Sequence, residues 1–448
     1  MSPSASSAAG AEAFPEPEGT AASARDFSWQ IAPATRSDHT AIFQFLTAVF
    51  QGPSWDEFRA SLEAPWYEPG RRLLGVSGSQ IVAHAQQLPR TMWFGLAAVP
   101  VAALSWLGVL PQFRGRGIGR RLLAASEQAM ARRGALVGLA WTRDPRFFCR
   151  DGWALWGPRY LSQAGTREIL AALAARGLYP RPARRLSIRP WRRVELAALV
   201  RIYDQNFAAA YGPLRRGEAC WQWLVERRGY DQLYVAIHGR DRAEGEEFEV
   251  PIVGYAAIRG QRIVELLTDA GHPGAAVDLL VRACGDAIEG DRYTIGLHAP
   301  PGHRLHRLFR AATDGQTGLE PDGNEVLMAK VLHPLRLIRT LGGELHARAR
   351  AAGLSTPASL GLKVDKRTYR LELTDEGLQA RTRSLGTDYL SLGAADFCRL
   401  LLGYLDWEAA LCARRVSAST PSALAVARIL FPRLVLWHPL LDDLPAQV

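Results

Sequence analysis

The run Val109-Leu110-Pro111-Gln112-Phe113-Arg114-Gly115-Arg116-Gly117-Ile118-Gly119-Arg120-Arg121-Leu122-Leu123 constrains the fold more than any other part of the chain. It joins an apolar strand to a helix through a turn crowded with glycine and arginine. Glycines at 115, 117 and 119 tolerate positive φ and bring bare backbone close to a ligand, which a Cβ would obstruct. The first amides of the following helix have no partner within it, and the helix dipole favours negative charge there. Arg114 and Arg116 add cationic donors, so the turn reads as a cradle for a pyrophosphate. The dinucleotide fingerprint does not fit, because it wants Gly-x-Gly-x-x-Gly after the first strand and an acidic residue about twenty positions on. A nucleotide phosphate loop needs Gly-Lys-Ser/Thr, whereas the lysines of this chain are Lys330, Lys363 and Lys366.

The spacing that does fit is Arg-x-x-Gly-x-Gly, as Arg114, Gly117 and Gly119, preceded by Gly108-Val109 and followed by Leu122-Leu123. It resembles the coenzyme A loop of the GNAT N-acetyltransferase superfamily. Two further segments are similar to that superfamily: Ile31 to Asp38 to its opening strand and turn, and Phe147-Phe148-Cys149-Arg150-Asp151-Gly152-Trp153 to its late helix-to-strand passage.

At 448 residues the chain exceeds one core, and about three domains are expected at roughly 150 residues each. Residues 1–26, rich in Ala, Ser, Pro and Glu, read as a disordered leader without an apolar signal core. Over 27–165, Thr40 to Phe50 and Ile118 to Arg133 have helical periodicity, and Leu73 to Val76, Ile81 to Leu88, Leu104 to Val109 and Leu136 to Trp141 read as strands. Phe94 to Leu110 carries no charge, but Gly95, Pro100 and Gly108 make two buried strands joined by a bend a better reading than a membrane span. A linker is expected over 166–183, with Pro180 and Pro182.

The pattern then begins again over 184–332. Leu186 to Trp191, Leu233 to His238, Ile252 to Arg259, Arg262 to Thr268 and Tyr293 to Leu297 read as strands, with helices Val194 to Phe207 and Val277 to Ile288. Asp269-Ala270-Gly271-His272-Pro273-Gly274 stands where a second cradle would be, without arginine or Gly-x-Gly. This half is therefore expected to bind no coenzyme and to wall the substrate site of the first. From 333 to 448, Tyr369 to Leu373 alternates as a strand and Asp388 to Leu392 reads as another, followed by a helical run Ala394 to Leu402 and the apolar Ala423 to Leu436.

That last layout resembles the sterol carrier protein-like domain. With two acetyltransferase modules before it, the chain resembles the enhanced intracellular survival (Eis-like) family of bacterial N-acetyltransferases. The implied fold class is α/β (α+β): tandem GNAT folds, the second degenerate, plus a sterol carrier protein-like α+β domain. The implied reaction is direct transfer of acetyl from acetyl-CoA, as co-substrate, to a primary amine in a ternary complex. Ser105, Trp106, Leu107, Gly108 and Val109 would pair with the pantetheine arm, and Arg114, Gly115, Arg116, Gly117, Ile118 and Gly119 would hold the pyrophosphate. The family is also one of symmetric oligomers, so a homo-oligomer is expected.

The resemblance leaves the proton carriers open. The superfamily's tyrosine acid falls on Phe148, which has no proton to give; Cys149 and Tyr160 are alternatives, and a coenzyme A thiolate can leave unassisted. Relatives deliver the chain's terminal carboxylate as base, here Val448. His438 is a second candidate, because imidazole carries protons near neutral pH, and Asp442 and Asp443 offer charge to a cationic amine. His84 lies on the strand Ile81 to Leu88, where it can face the cleft, and Trp29, Trp55, Trp66, Trp93 and Trp106 are candidates to line it.

The net charge of +10 is nearly all arginine. That bias suits a GC-rich genome, so neither nucleic acid nor membrane is an expected partner. Cys149, Cys220, Cys284, Cys398 and Cys412 are scattered, which points to a reducing cytoplasm and no metal. Competing with the enzyme reading are a non-catalytic protein that binds acyl-CoA or an apolar ligand, supported by Phe148, and a transferase of longer acyl groups.

Overall fold

Alternation between two faces builds the first sheet. Neighbouring residues such as Leu73 and Leu74, or Ala83 and His84, point to opposite sides, and both sides are covered by helices. The computed structural model describes residues 28–179, 186–227, 229–239, 251–316 and 318–442, with the backbone alone at residue 322. The leader 1–26, Pro180, Pro182, Asp443 and Val448 lie outside the described residues.

The strands are β1 (Gln30–Pro33), β2 (Arg72–Ser77), β3 (Gln80–Phe94), β4 (Ala97–Val109), β5 (Val137–Thr142), β6 (Ala154–Gly165), β7 (Leu186–Pro190), β8 (Tyr211–Leu214), β9 (Gln232–His238), β10 (Ile252–Arg259), β11 (Arg262–Thr268), β12 (Thr294–Leu297) and β13 (Glu320–Val331). They form one sheet in the order β1-β2-β3-β4-β5-β13-β6-β12-β11-β10-β9-β7, with β8 attached to β3. Behind β2, β3 and β4 lies the helix Ile118–Arg132, which buries Ile118, Leu122, Leu123, Ser126, Ala129 and Met130 at helical spacing. Each fully buried leucine there is worth about 1.5–3 kcal/mol over its exposed state. The helices His39–Phe50 and Trp55–Leu62 cover the other face.

The second half repeats this plan. The helix Ala275–Glu289 follows β11 as Ile118–Arg132 follows β4, and β11 pairs in parallel with β12 as β4 does with β5. The two halves also exchange strands. The last strand of the second half, β13, inserts between β5 and β6, pairing Val331 with Val137 and Ala329 with Ala154. The far end of β6, Ser162 to Gly165, crosses to pair with β12.

The third region has its own sheet, β14 (Ala358–Val364), β15 (Arg367–Thr374), β16 (Gly377–Thr382), β17 (Tyr389–Leu392) and β18 (Val416–Ala418), in the order β16-β15-β14-β17-β18. Its core is continuous with that of the first half through Met92, Phe94, Val99, Leu337 and Leu345. Glu344 locks this junction. It accepts from the Leu96 amide at 2.8 Å, from the Tyr211 hydroxyl at 2.6 Å and from Arg348 Nε at 2.9 Å. A Cβ on Gly95, whose φ is +59°, would collide with that carboxylate.

Two expectations change. Within Phe94 to Leu110, Ala97–Val109 is a single strand, β4, joined to the end of β3 at Phe94 by a two-residue turn at Gly95-Leu96, rather than two strands and a bend. Residues 166–174 of the expected linker form the helix Thr166–Ala174, because Ile169 and Leu173 are wholly buried. The strand β13 and the helix Leu305–Ala312 carried no reading at all in the sequence. Among the described residues, no helix is long and apolar enough to cross a membrane.

Candidate active site

A fork in the sheet creates the site. β4 and β5 pair only from Val101 to Ala103 against Val137 to Leu139, and beyond that they diverge, so β4 runs on to Val109 without a strand on its β5 side. On its other edge β4 carries a bulge, where the register shifts between His84 opposite Gly108 and Gln86 opposite Ser105. Trp106 is the bulged residue, with φ +53°.

Immediately past β4 the chain makes a turn at Pro111–Phe113, and Arg114 Nε ties back to the Val109 carbonyl at 3.1 Å. Gly115 and Gly117 take φ of +77° and +76°, with open space where a Cβ would stand. Gly117 caps the helix Ile118–Arg132. Its first amides therefore open on a cavity of about 680 Å³ lined by Leu107, Gly108, Val109, Arg114, Gly115, Gly117, Ile118 and Gly119 among others. Positive-φ glycines, bare backbone and helix-terminal donors fit a pyrophosphate. Gly108 has a separate reason: a Cβ there would strike Phe50 and Val49, so its absence lets the helix His39–Phe50 close the far wall. Arg116 is not among the lining residues, and its guanidinium lies over the Phe113 ring at 5.8 Å.

A second cavity of about 430 Å³ adjoins the first, sharing Phe50, Leu107, Thr142, Asp144 and Phe148 with it. Its wall draws on three regions of sequence: Arg90 and Trp106 from the first half, Glu325 and Leu327 from β13, and His438 and Asp442 from the tail. A third cavity of about 390 Å³, beyond Trp141, Arg159, Leu327 and His438, opens among Trp156, Tyr160, Tyr404 and Trp437.

The tail is pinned in this place. Trp437 N donates to the Tyr211 carbonyl at 3.1 Å and its ring lies 5.2 Å from Phe207. His438 follows, its ring 6.3 Å from Trp141. Asp442 then accepts from Arg216 Nε at 2.7 Å and Nη2 at 3.0 Å, while Glu265 accepts from Nη1 at 2.8 Å and Nη2 at 2.6 Å. Tyr255 donates to Glu265 at 2.6 Å. Burial alone would lower the Arg216 pKa, but Asp442 and Glu265 outweigh it and hold the guanidinium charged.

The expected proton carriers fare differently. His84 is not a cleft base: it is wholly buried behind the bulge, bonded through Nδ1 to the Trp106 carbonyl at 2.9 Å and through Nε2 to Arg72 Nη1 at 3.3 Å. Burial and the Arg72 charge pull its pKa down to about 3, so it is neutral and both ring nitrogens are engaged. It supports the bulge. Phe148 lines both adjoining cavities, packed against Phe147 and Trp153. His438 does reach the cavity wall. Asp442 does not offer a free charge to a cationic amine, because Arg216 neutralises it in the interior. Cys149 is exposed and lines none of the three cavities; Tyr160 lines only the third. Of the five tryptophans, Trp106 lines a cavity, whereas Trp55 is exposed and Trp29 carries Arg121 over its ring at 4.4 Å. The residues that sequence reasoning missed are Arg90, Trp141, Arg143, Asp144, Arg159 and Glu325. Their alignment on one wall depends on the fork and on β13, neither of which has a local signature.

Replacing His84 with alanine leaves the Trp106 carbonyl and an Arg72 donor unpaired, an expected loss of about 1–3 kcal/mol in urea unfolding. The pH dependence has a defined sign. Between the folded value of about 3 and the ordinary 6.5, the unfolded chain binds the extra proton. Stability attributable to His84 therefore falls as pH drops from about 6.5 towards 3, and the alanine variant should lack that part of the slope. An unchanged slope would remove His84 from this role.

Residues 30–156 match the family model described as "Acetyltransferase (GNAT) domain". A GCN5-related N-acetyltransferase from Kribbella flavida superposes with a TM-score of 0.69 at 18% identity, over 93% of this chain and 98% of that one. A GCN5-related N-acetyltransferase from Anabaena variabilis gives 0.70 at 16%, over 92% and 99%. Eis1 from Mycobacterium abscessus gives 0.63 at 18%, over 92% and 99%. No curated protein sequence matches significantly. The chain thus carries a GNAT acetyltransferase domain, and the fold likeness extends through its second and third regions.

Proposed function

We propose that this protein is an acetyl-CoA-dependent N-acetyltransferase acting on a primary amine by direct attack in a ternary complex. The observation that carries the reading is the meeting of two cavities at the β4–β5 fork, one walled by the glycine cradle and the other by the tail. Acetyl-CoA would lie with its diphosphate at Gly115 to Gly119 and its pantetheine along Ser105 to Val109, which brings the thioester to the fork. Holding amine and thioester in one array supplies much of the rate. The amine nitrogen attacks the thioester carbonyl carbon, the C–S bond breaks, and coenzyme A leaves as thiolate.

The ammonium must first lose a proton. We assign that proton to His438, the histidine on the cavity wall among the described residues. Phe148 offers no acid, so the thiolate, a weak base, takes its proton from solvent. The second half lacks a cradle. Where one would stand, Asp269 accepts from the Gly271 amide at 3.1 Å and from Arg201 at 3.3 Å, so a side chain already occupies a donor of the turn. We read that half as a degenerate GNAT module, with boundaries near 184 and 332, and the third region as sterol carrier protein-like on its five-stranded sheet.

The test is thiol release from acetyl-CoA across a panel of amines, wild type beside His438→Gln. A drop in kcat of about 10²–10⁴-fold in the variant is expected of a general base. Acetyl-CoA binding without release on any amine would favour the binding-protein reading instead.

A further inference from the structure

The charge on the acceptor wall selects the kind of amine that fits. The cavity of about 430 Å³ is lined by carboxylates at Asp144, Glu325 and Asp442, and each is already engaged. Glu325 stands between Arg143 at 3.6 Å and Arg159 at 3.7 Å, and Arg159 is itself stacked on Trp141 at 4.1 Å. Asp442 is held by Arg216. Asp144 accepts from the Phe147 amide at 3.4 Å as the cap of the helix Pro145–Cys149.

Arg90 is the contrasting group. It lines the same cavity, and among the described residues no carboxylate lies within ion-pair distance of it. Its one hydrogen bond runs from Nη1 to the Pro89 carbonyl at 2.9 Å, and its guanidinium lies 3.1 Å from the centroid of the Trp66 ring. Trp66 is braced edge-on by Trp223 at 4.9 Å, which donates to the Ala60 carbonyl at 2.9 Å. The fork of donors is thus fixed before any ligand arrives, and the remaining donors match the two oxygens of a carboxylate. Burial also pulls the Arg90 pKa down to about 9, even with the Asp442 carboxylate acting to raise it.

We propose, on the footing of the N-acetyltransferase reading, that the acceptor is a small amine that also bears a carboxylate, with Arg90 holding the carboxylate while the amine reaches the β4–β5 fork. A polycationic acceptor meets the opposite situation, since Arg90, Arg143 and Arg159 already line the wall.

The experiment compares ω-amino acids of graded chain length with alkylamines of the same lengths, and with a polyamine, by thiol release from acetyl-CoA. The wild type should prefer an ω-amino acid by about tenfold or more in kcat/KM, as a charge-assisted pair implies. Arg90→Gln should collapse that preference towards one through KM, and Arg90→Lys should keep part of it. A wild-type preference for alkylamine or polyamine overturns the proposal, as does a preference that survives in Arg90→Gln. If no amine releases thiol, the enzyme reading fails, and binding of the N-acetyl-ω-amino acids by calorimetry then decides the anchor separately. Binding lost in Arg90→Gln upholds the anchor; no binding, or binding equal in both, overturns it.

Discussion

Gly117→Glu should abolish acetyl-CoA binding, raising the Kd measured by calorimetry by about 100-fold or more, a cost of about 3 kcal/mol. The position combines two constraints that a side chain cannot meet together. Its φ of +76° belongs to the left-handed region, where a non-glycine residue costs about 1–2 kcal/mol. Its side chain would emerge beside the first amides of the helix Ile118–Arg132, placing a carboxylate where the diphosphate is proposed to sit. Because nothing lies within 4 Å of the notional Cβ, the substitution adds no clash. Gly117→Ala separates the terms, since it carries the backbone strain without the charge and should weaken binding far less. Equal, small effects of both would remove the cradle assignment.

Arg216→Met should produce the largest loss of stability, about 3–5 kcal/mol, because it strands two buried carboxylates without their cation. Glu265 and Asp442 have almost no solvent access, so neither can recover water in compensation. The variant should unfold earlier in urea, and its tail should become sensitive to trypsin at Arg433. Acetyl transfer should fall as well, since His438 stands on the tail that Arg216 anchors. Restoring apolar partners at all three positions should recover much of the stability, because a well-packed substitute for a buried ion network is often neutral. A variant as stable as the wild type would show that the network does not hold the tail.

The parts of this molecule that were legible in its sequence are those whose signal is local. Glycine spacing and an arginine mark the cradle because φ and helix-end amides are properties of a few consecutive residues. Strands Ile252–Arg259 and Arg262–Thr268 show the same locality in their apolar runs. What escaped depends on distant partners. His84 reads as a strand residue, but that it supports a bulge at Trp106 needs the register of β3 against β4. Asp442 looks like a polar turn residue until Arg216, far away in sequence, is brought against it. Residues 320–331, with Pro321 and Gly323 among them, carry no strand signature, yet they form a strand whose partner β5 lies far back in the chain. The wall of the cavity of about 430 Å³ is assembled from such long-range pairings, so His438, Asp442 and Trp106 could be named from sequence but not their meeting with Arg90, Arg159 and Glu325.

The exchanged strands also set an order on biosynthesis. The first half cannot finish its sheet with its own chain: the edge of β5 stays open until residues 320–331 have left the ribosome. An exposed strand edge is a template for unwanted pairing, and it would persist while the whole second half is being made. A chain cut short anywhere before residue 320 would therefore carry an acetyltransferase domain that lacks a strand, however intact its cradle.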